Sequence, residues 1–572
     1  MTLTAETQSF LQVRRSRPRA SAGSISSGAV KSRVYIVMAS FLMGFLVIGG
    51  RLTMLAQMEE QPSQALISAQ DTVAASRPDL LDRNGEILAT DIKTSSLYAE
   101  PRRIVDVDEA VDGLTRVLPD LDRDIVQRRL DSRAGFVWLK RELTPDQVTK
   151  VHNLGLPGIG FLSENQRFYP GGPTAGHIIG SVNIDNQGLT GIERHIDQQW
   201  LSDLQKLGFA SDRPMEPVKL AMDLRVQHVV RDELVKAMDL YQAIAAVGIV
   251  LDVKTGEVVA MSSLPDYDPN DRSQALEQKR MNRATGGVFE MGSVFKTFTT
   301  AMALDSGAVR ITDSFDASRP VRAHGRTISD FHGKNRILSV PEIFIYSSNV
   351  GTIKMMLTSG IEKEQEFFTR LGLTTRLKTE LPENAAPLLP PKWNELAAMT
   401  ISFGHGISVT PMQTAVAAAA LVNGGTLLPP TFFPRTQEQA KALGTRVVSE
   451  DVSRKMRYLF RLNVTERGGS GKRAEVPGYV VGGKTGTAEK IEHGRYVSNK
   501  RRNSFLSAFP MDDPRYVVLT VIDEPKPERP GLPATAGMNA ATMVGNIIRR
   551  AAPMLGVMPQ FQDSEKPIEV SY

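Results

Sequence analysis

The sequence predicts an α+β fold in which segments from the two ends of one domain meet in a common antiparallel sheet. Three observations predict it. Two apolar runs near residue 250 (AAVGIVLDV and VVAMSS, joined by KTGE) read as a hairpin, and apolar strands return at 478–482, 504–509 and 516–522. Between them lie some 200 residues of helical and loop character, an arrangement that leaves opening and closing strands free to pair. A separate hairpin signal, Asn84-Gly85 between alternating apolar positions of RPDLLDRNGEILATD (77–91), places a further α+β module ahead of this domain.

In chain order, residues 1–33 carry Arg14, Arg15, Arg17, Arg19, Lys31 and Arg33 against Glu6 alone, which accounts for the whole net charge of +5. Rich in Ser, Gly and Ala as well, the segment reads as a disordered tail. Residues 34–50 (VYIVMASFLMGFLVIGG) contain no charged side chain, and Leu52, Met54 and Leu55 continue the apolar run past Arg51. With Arg51 snorkelling, a span over 34–56 reaches the roughly 20 residues a bilayer requires. The basic flank then stays in the cytoplasm and the remaining chain lies outside. A cleaved signal peptide is the competing reading, but the run is long for one and no small-x-small site follows it closely. Residues 57–76 read as a polar, partly helical connection.

From there to about residue 211, short strands and helices alternate with loops such as YPGGP (169–173). No catalytic constellation occurs in this module. Its Arg77, Asp82, Arg83 and Gly85, with Arg167, Tyr169, Gly171, Gly188, Gly191, Glu193 and Arg194, suit a buried polar network joining the modules. After Pro214 the stretch 219–240 begins as a strand and continues as an amphipathic helix. The Met- and Ala-rich segment 539–555 closes the domain as a helix whose methionines serve as core packing.

The chemistry falls in GGVFEMGSVFKTFTTAMALDSG (286–307). Ser293 and Lys296 stand three apart where a Gly-rich loop becomes a helix, so hydroxyl and amine share a face. Gly292 permits the turn, Val294, Phe295, Phe298, Ala301, Met302 and Leu304 bury the helix on several sides, and Gly307 stops it. A serine is a poor nucleophile without a neighbouring base, and a lysine amine can be that base when burial and nearby cations lower its pKa. Such a spacing arises by chance about once or twice in a chain of this size, and Ser293 to Lys296 is its single occurrence here.

Composition excludes several other classes. The absence of cysteine removes disulfides, thiolate catalysis and Cys-based metal sites. The eight histidines form no H-x-x-x-H pair near carboxylates, so a metal site is not expected, and His405 between Gly404 and Gly406 reads as a turn residue beside the cleft. No G-x-x-x-x-G-K-[ST] loop supports nucleotide hydrolysis. Charge outside the first 33 residues is balanced, so no nucleic-acid surface is expected.

Two further motifs select the reading. Ser347-Ser348-Asn349 follows apolar PEIFIY, and Lys484-Thr485-Gly486-Thr487 follows VPGYVVGG. Ser163-Glu164-Asn165, Ser181-Val182-Asn183 and Lys254-Thr255-Gly256 match the same short patterns, but all three precede Ser293, and the last sits at a hairpin tip where a tight turn explains its glycine. With MNRATGGVFEMGSVFKTFT (281–299), IVLDVKTGEVVAMSSLPDYDPN (249–270), SFGHGISVTPMQ (402–413) and VGGKTGTAEK (481–490) in this order, the chain resembles class B penicillin-binding proteins of the septal, FtsI-type D,D-transpeptidase group, from the apolar span to about residue 555.

The resemblance implies a cytoplasmic tail (1–33), a transmembrane helix (34–56), an elongated periplasmic pedestal (57–215), a serine β-lactamase-like transpeptidase domain (216–560) and a short C-terminal tail (561–572). It implies Ser293 as nucleophile and Lys296 as its base, although which group is the base in such sites is disputed. Ser347 would relay a proton, and Asn349 would bind the peptide amide and help hold Lys296. Lys484, with Thr485 and Thr487, would bind the terminal carboxylate. Ser348 and Gly486 line the same substrate-binding motifs, and the N–H groups of Ser293 and Thr487 form an oxyanion hole. No cofactor is expected. The implied substrates are peptidoglycan stem peptides ending in D-Ala-D-Ala, with β-lactams as covalent inhibitors and a membrane glycan polymerase and other division proteins as partners. An elongation-type transpeptidase, a D,D-carboxypeptidase and a penicillin sensor or scaffold are the alternatives. Pro78 departs from the family, standing where the first-module motif has Gly.

Overall fold

The computed structural model describes residues 38–51, 76–207, 216–275, 277–492 and 495–561. Two units emerge, residues 1–72 and 73–572. In the first, residues 38–51 are helical, with the apolar Phe41, Leu42, Phe45 and Leu46 exposed. Among the described residues no helix is long and apolar enough to cross a membrane. The remainder of the expected 34–56 span, the tail 1–33, nearly all of the 57–76 connection and residues 562–572 lie outside the described residues.

The second unit holds both expected modules. In the N-terminal one, Leu80–Leu81 and Ile87–Ala99 form the expected hairpin, with Gly85 at φ +94° in its turn. Val137–Leu143 and Ile159–Phe168 pair antiparallel with Ile87–Ala99. Three helices, Val107–Val117, Arg123–Leu130 and Pro145–His152, are each capped by an oxygen that takes an orphan N–H: Asp106, Asp122 and Thr144. They pack Val111, Leu114, Val126 and Val151 onto Leu97, Leu139 and Leu143. The strand Val218–Lys219 lies beyond the expected boundary at 215, yet it pairs in parallel with Leu80–Leu81. Hydrogen bonds therefore cross the junction.

The polar network expected there is present. Arg167 and Arg77 both bind Glu193, at 2.7 and 2.8 Å, and Arg167 also reaches Asp91 at 3.0 Å. The Pro78 carbonyl accepts from Arg167 at 2.8 Å, so the departure from glycine is accommodated through a backbone group that proline retains. Arg83 reaches forward to Glu257 at 2.7 Å.

The C-terminal module is built on a five-stranded antiparallel sheet. Its order is Gly482–Glu492, Arg495–Phe509, Tyr516–Asp523, Ala245–Asp252 and Val258–Leu264, so the closing strands lie beside the opening hairpin as expected. Period-two alternation explains its burial on both faces. Val247, Ile249, Leu251, Val517, Leu519 and Val521 join one core, while Ala246, Val250, Val518 and Ile522 join another. The helices Leu224–Tyr241 and Ala540–Ala551 cover the second face, and Lys296–Asp305, Pro411–Val422 and Glu450–Thr465 contribute to the first.

One strand differs from expectation. The apolar segment 478–482 is not a strand; Gly478 takes φ +86° in a turn bridged between Val476 and Tyr479, and the strand begins at Gly482. Hydrophobicity there reflects burial of Tyr479 and Val481 against the helices, while the Lys484-Thr485-Gly486 stretch itself takes the sheet edge.

Candidate active site

Ser293 lies in a single 3₁₀ turn, Gly292–Phe295, that runs directly into the buried helix Lys296–Asp305. Gly292 adopts φ +55°, a left-handed geometry that glycine takes without steric cost. Its neighbours permit nothing larger: a β-carbon there would lie 2.5 Å from the Thr487 carbonyl oxygen. Reciprocally, a β-carbon on Gly486 would lie 2.4 Å from the Met291 carbonyl oxygen. The two glycines thus press the nucleophile's turn against the edge strand Gly482–Glu492, whose outer backbone groups have no neighbouring strand among the described residues.

Lys296 points into the interior and is 1% exposed. Its Nζ donates to the Ser347 carbonyl and to Ser347 Oγ at 3.0 Å. Burial first, then the nearby Lys484 cation, holds its pKa well below the usual lysine range, against a smaller opposing pull from Asp330. A lysine shifted in that direction gives up its proton more readily than a solvated one, as a general base must.

Ser347 ends the helix Val340–Tyr346 in a left-handed conformation, φ 57° and ψ 44°. For a residue bearing a β-carbon this costs about 1 to 2 kcal/mol, and it turns both Ser347 oxygens toward Lys296. Ser348 follows as N-cap of the helix Asn349–Ser359, accepting from Gly351 N at 2.9 Å and donating to Asp330 Oδ2 at 2.7 Å. Its hydroxyl is therefore engaged within the fold. Asn349 Nδ2 donates to the Ser329 carbonyl at 3.0 Å, and so is held by the loop at 329–335.

Lys484 is wholly buried, its Nζ 5.8 Å from the centre of the Phe344 ring and 3.4 Å from the Thr485 carbonyl. Burial lowers its pKa to about 7. Thr485 Oγ1 is shared with Ser470 Oγ at 2.6 Å, whereas Thr487 is half-buried beside Gly292. His405, with its turn packed on Gly292, has its pKa pushed down to about 4, by burial first and then by Lys296.

Ser293, Lys296, Ser347 and the Lys484–Thr487 strand are thus brought together, with Asn349 one residue beyond the cap. Sequence reasoning missed two groups. Asp330 holds Ser348 and the Val350 N–H, and Glu290 accepts from Gly406 N and the Tyr496 hydroxyl. Glu290 carried a readable signal, a lone acid in an apolar run three residues before the serine. Asp330 carried none, because its partners lie 18 and 20 residues away.

Such a site, on a sheet of this order, suits serine acyl transfer, and comparison with known proteins identifies the chain further. The model of the penicillin binding protein transpeptidase domain matches residues 246–548, and that of the penicillin-binding protein dimerisation domain matches residues 72–201. The chain belongs to the penicillin-binding proteins, with the class B arrangement of these two domains. It is 40% identical over 92% of its length to a probable peptidoglycan D,D-transpeptidase FtsI of Caulobacter vibrioides, covering 89% of that protein. It is 30% identical over 79% of its length to the peptidoglycan D,D-transpeptidase FtsI of Escherichia coli K12, covering 80% of it. The crystal structure of a peptidoglycan synthetase from Bifidobacterium adolescentis shares the fold, with a TM-score of 0.66 at 22% identity over 87% of this chain and 98% of that one.

Proposed function

We propose that this chain is a peptidoglycan D,D-transpeptidase that cross-links stem peptides through an acyl-serine intermediate during septal wall synthesis. The observation that carries the reading is the buried Lys296 amine, its pKa depressed, held by Ser347 one turn after Ser293. Relatives carrying the transpeptidase name over most of their length support the substrate class.

In this reading Ser293 Oγ attacks the carbonyl of the penultimate D-Ala while Lys296 Nζ takes the hydroxyl proton. The N–H groups of Ser293 and Thr487 stabilise the oxyanion, each worth about 3 to 4 kcal/mol of barrier. Ser347 passes the proton to the departing D-Ala amine, and an amine from a second stem then resolves the ester. Lys484 and Thr487 bind the terminal carboxylate, and Asn349 the peptide amide. Ser348 and Thr485 act through the groups that their hydroxyls hold, and Gly486 acts by letting strand and turn approach. Residues 34–56 anchor the chain in the inner membrane, with 1–33 in the cytoplasm, 57–215 as the periplasmic pedestal and 216–560 as the catalytic domain. Other division proteins, including a membrane glycan polymerase, are the proposed partners.

Labelling by a fluorescent penicillin tests the nucleophile. Ser293→Ala is expected to abolish the covalent band without lowering the melting temperature, and a persisting band overturns the assignment. Depletion in cells tests the septal role: filaments with stalled septa are expected, and rounded cells would assign the protein to elongation.

A further inference from the structure

Ser293 and Thr487, whose N–H groups the reading above assigns to the oxyanion, lie on two separate elements, a 3₁₀ turn and an edge strand. Donors to an oxyanion act only when both lie about 2.7 to 3.1 Å from one point. Something must hold turn and strand in register. The contacts at Gly292 and Gly486 prevent them from coming closer, but steric contact does not prevent them from drifting apart.

We propose that Glu290 is a positioning residue that locks the strand pair Gly482–Glu492 and Arg495–Phe509 and the turn at 403–406 onto the nucleophile's turn, and thereby sets the spacing of the two oxyanion donors. This rests on the acyl-transfer reading above. Glu290 stands three residues before Ser293 and is 8% exposed. Its Oε1 accepts from the Tyr496 hydroxyl at 3.0 Å and from Gly406 N at 2.7 Å. Tyr496 lies on Arg495–Phe509 opposite Ile491, in the same pair of strands in which Thr487 lies opposite Asn503. Through Tyr496, therefore, the carboxylate grips the far end of the hairpin that carries Thr487.

The third segment closes the clamp from the other side. Gly292 N donates to the Gly404 carbonyl at 3.2 Å, and a β-carbon on Gly404 would lie 2.0 Å from the Gly292 carbonyl oxygen. The His405 ring stands between Phe403 and Tyr496, with centroids 5.2 and 5.7 Å away. One carboxylate oxygen thus joins the residue run that leads into Ser293, the turn packed on Gly292 and the hairpin of Thr487. Among the described residues the buried Glu290 Oε2 has no hydrogen-bond partner, a cost to the fold that the contacts of Oε1 must offset. Stability alone is also provided next door, where Phe289 pairs both ways with Val409 and lies 4.0 Å under the Arg502 guanidinium. Loss of Glu290 should loosen the clamp rather than unfold the domain.

Glu290→Gln keeps an oxygen that can accept both bonds, Glu290→Ala removes both, and Tyr496→Phe removes only the one to the hairpin, at a residue that is 48% exposed. The experiment measures the acylation rate constant and the prior noncovalent affinity separately for a chromogenic penicillin with the full chain, alongside melting temperature. Glu290→Ala is expected to slow acylation about 100-fold and Tyr496→Phe about tenfold, with affinity changed less than about threefold and Glu290→Gln restoring most of the rate. Acylation by Tyr496→Phe within twofold of the unchanged protein overturns the proposal. So does a loss in Tyr496→Phe that falls wholly on affinity or accompanies an equal loss of thermal stability. A covalent band on Ser293→Ala would instead overturn the acyl-transfer reading, which keeps the two failures distinct.

Discussion

Two regions of the molecule bury positive charge, and they do so in opposite ways. At the junction of the modules, Arg167 is fully covered yet bound to Glu193 and Asp91, and Arg77 shares Glu193. Although burial works against its charge, the attraction of Glu193 and Asp91 prevails and raises the Arg167 pKa. In the site, Lys296 and Lys484 are as deeply buried, but Lys296 faces the oxygens of Ser347 and Lys484 faces the Phe344 ring and a carbonyl. Their pKa values fall. A buried cation with a carboxylate is a fixed strut; a buried amine without one is held near the point of losing its proton, which is where acid–base chemistry needs it.

Substitution on each side can break this contrast. Lys296→Met is expected to lower penicillin acylation about 10²- to 10⁴-fold with no loss of thermal stability, since the amine it removes is costly to bury. Stopped-flow acylation and a thermal melt check both halves, and a melting temperature that drops with activity would make Lys296 a strut like Arg167. Glu193→Ala, by leaving Arg77 and Arg167 without their shared carboxylate, is expected to cost about 3 to 5 kcal/mol in urea unfolding. The acylation rate constant of the folded protein should be unchanged.

A smaller effect follows from Lys484. Its pKa of about 7 against an ordinary 10.5 means that the folded chain binds fewer protons than the unfolded chain between those values. Stability therefore rises with pH across that window, and below about 7, where both states are charged, the cost of burial is felt in full. Carboxylate binding runs the other way, because it needs the charged form. Acylation by a penicillin should decline as pH rises above about 7, and Lys484→Arg should flatten that limb. A flat profile in the unsubstituted protein would remove Lys484 from carboxylate recognition.

Much of the fold was legible because it rests on local pattern. Continuous apolar runs announced the strands near 250 and 520, and Asn84-Gly85 between alternating apolar positions announced its hairpin. The stretch at 478–482 misled, since an apolar run beside a sheet and an apolar run within one have the same composition; only the positive φ of Gly478 separates them. In the site, motif order isolated Ser293, Lys296, Ser347 and Lys484. It did not reveal that Ser348 is a helix cap tied to Asp330, that Thr485 is bonded to Ser470, or that Asn349 is held by Ser329. Those partners come from elsewhere in the chain and have no fixed spacing.

By itself the sequence determined which groups are available: one serine three residues before a lysine, two later motifs in order, glycines where backbones must touch, and a basic tail before an apolar run. Only the tertiary structure decided their state. It enclosed Lys296 and Lys484 together away from water, turned Ser347 into the left-handed region, and brought Glu290 against Tyr496 across 206 residues of chain. Residue type sets what a group can do, but desolvation and the field of neighbouring charges set its protonation, and these exist only once distant segments are packed around it.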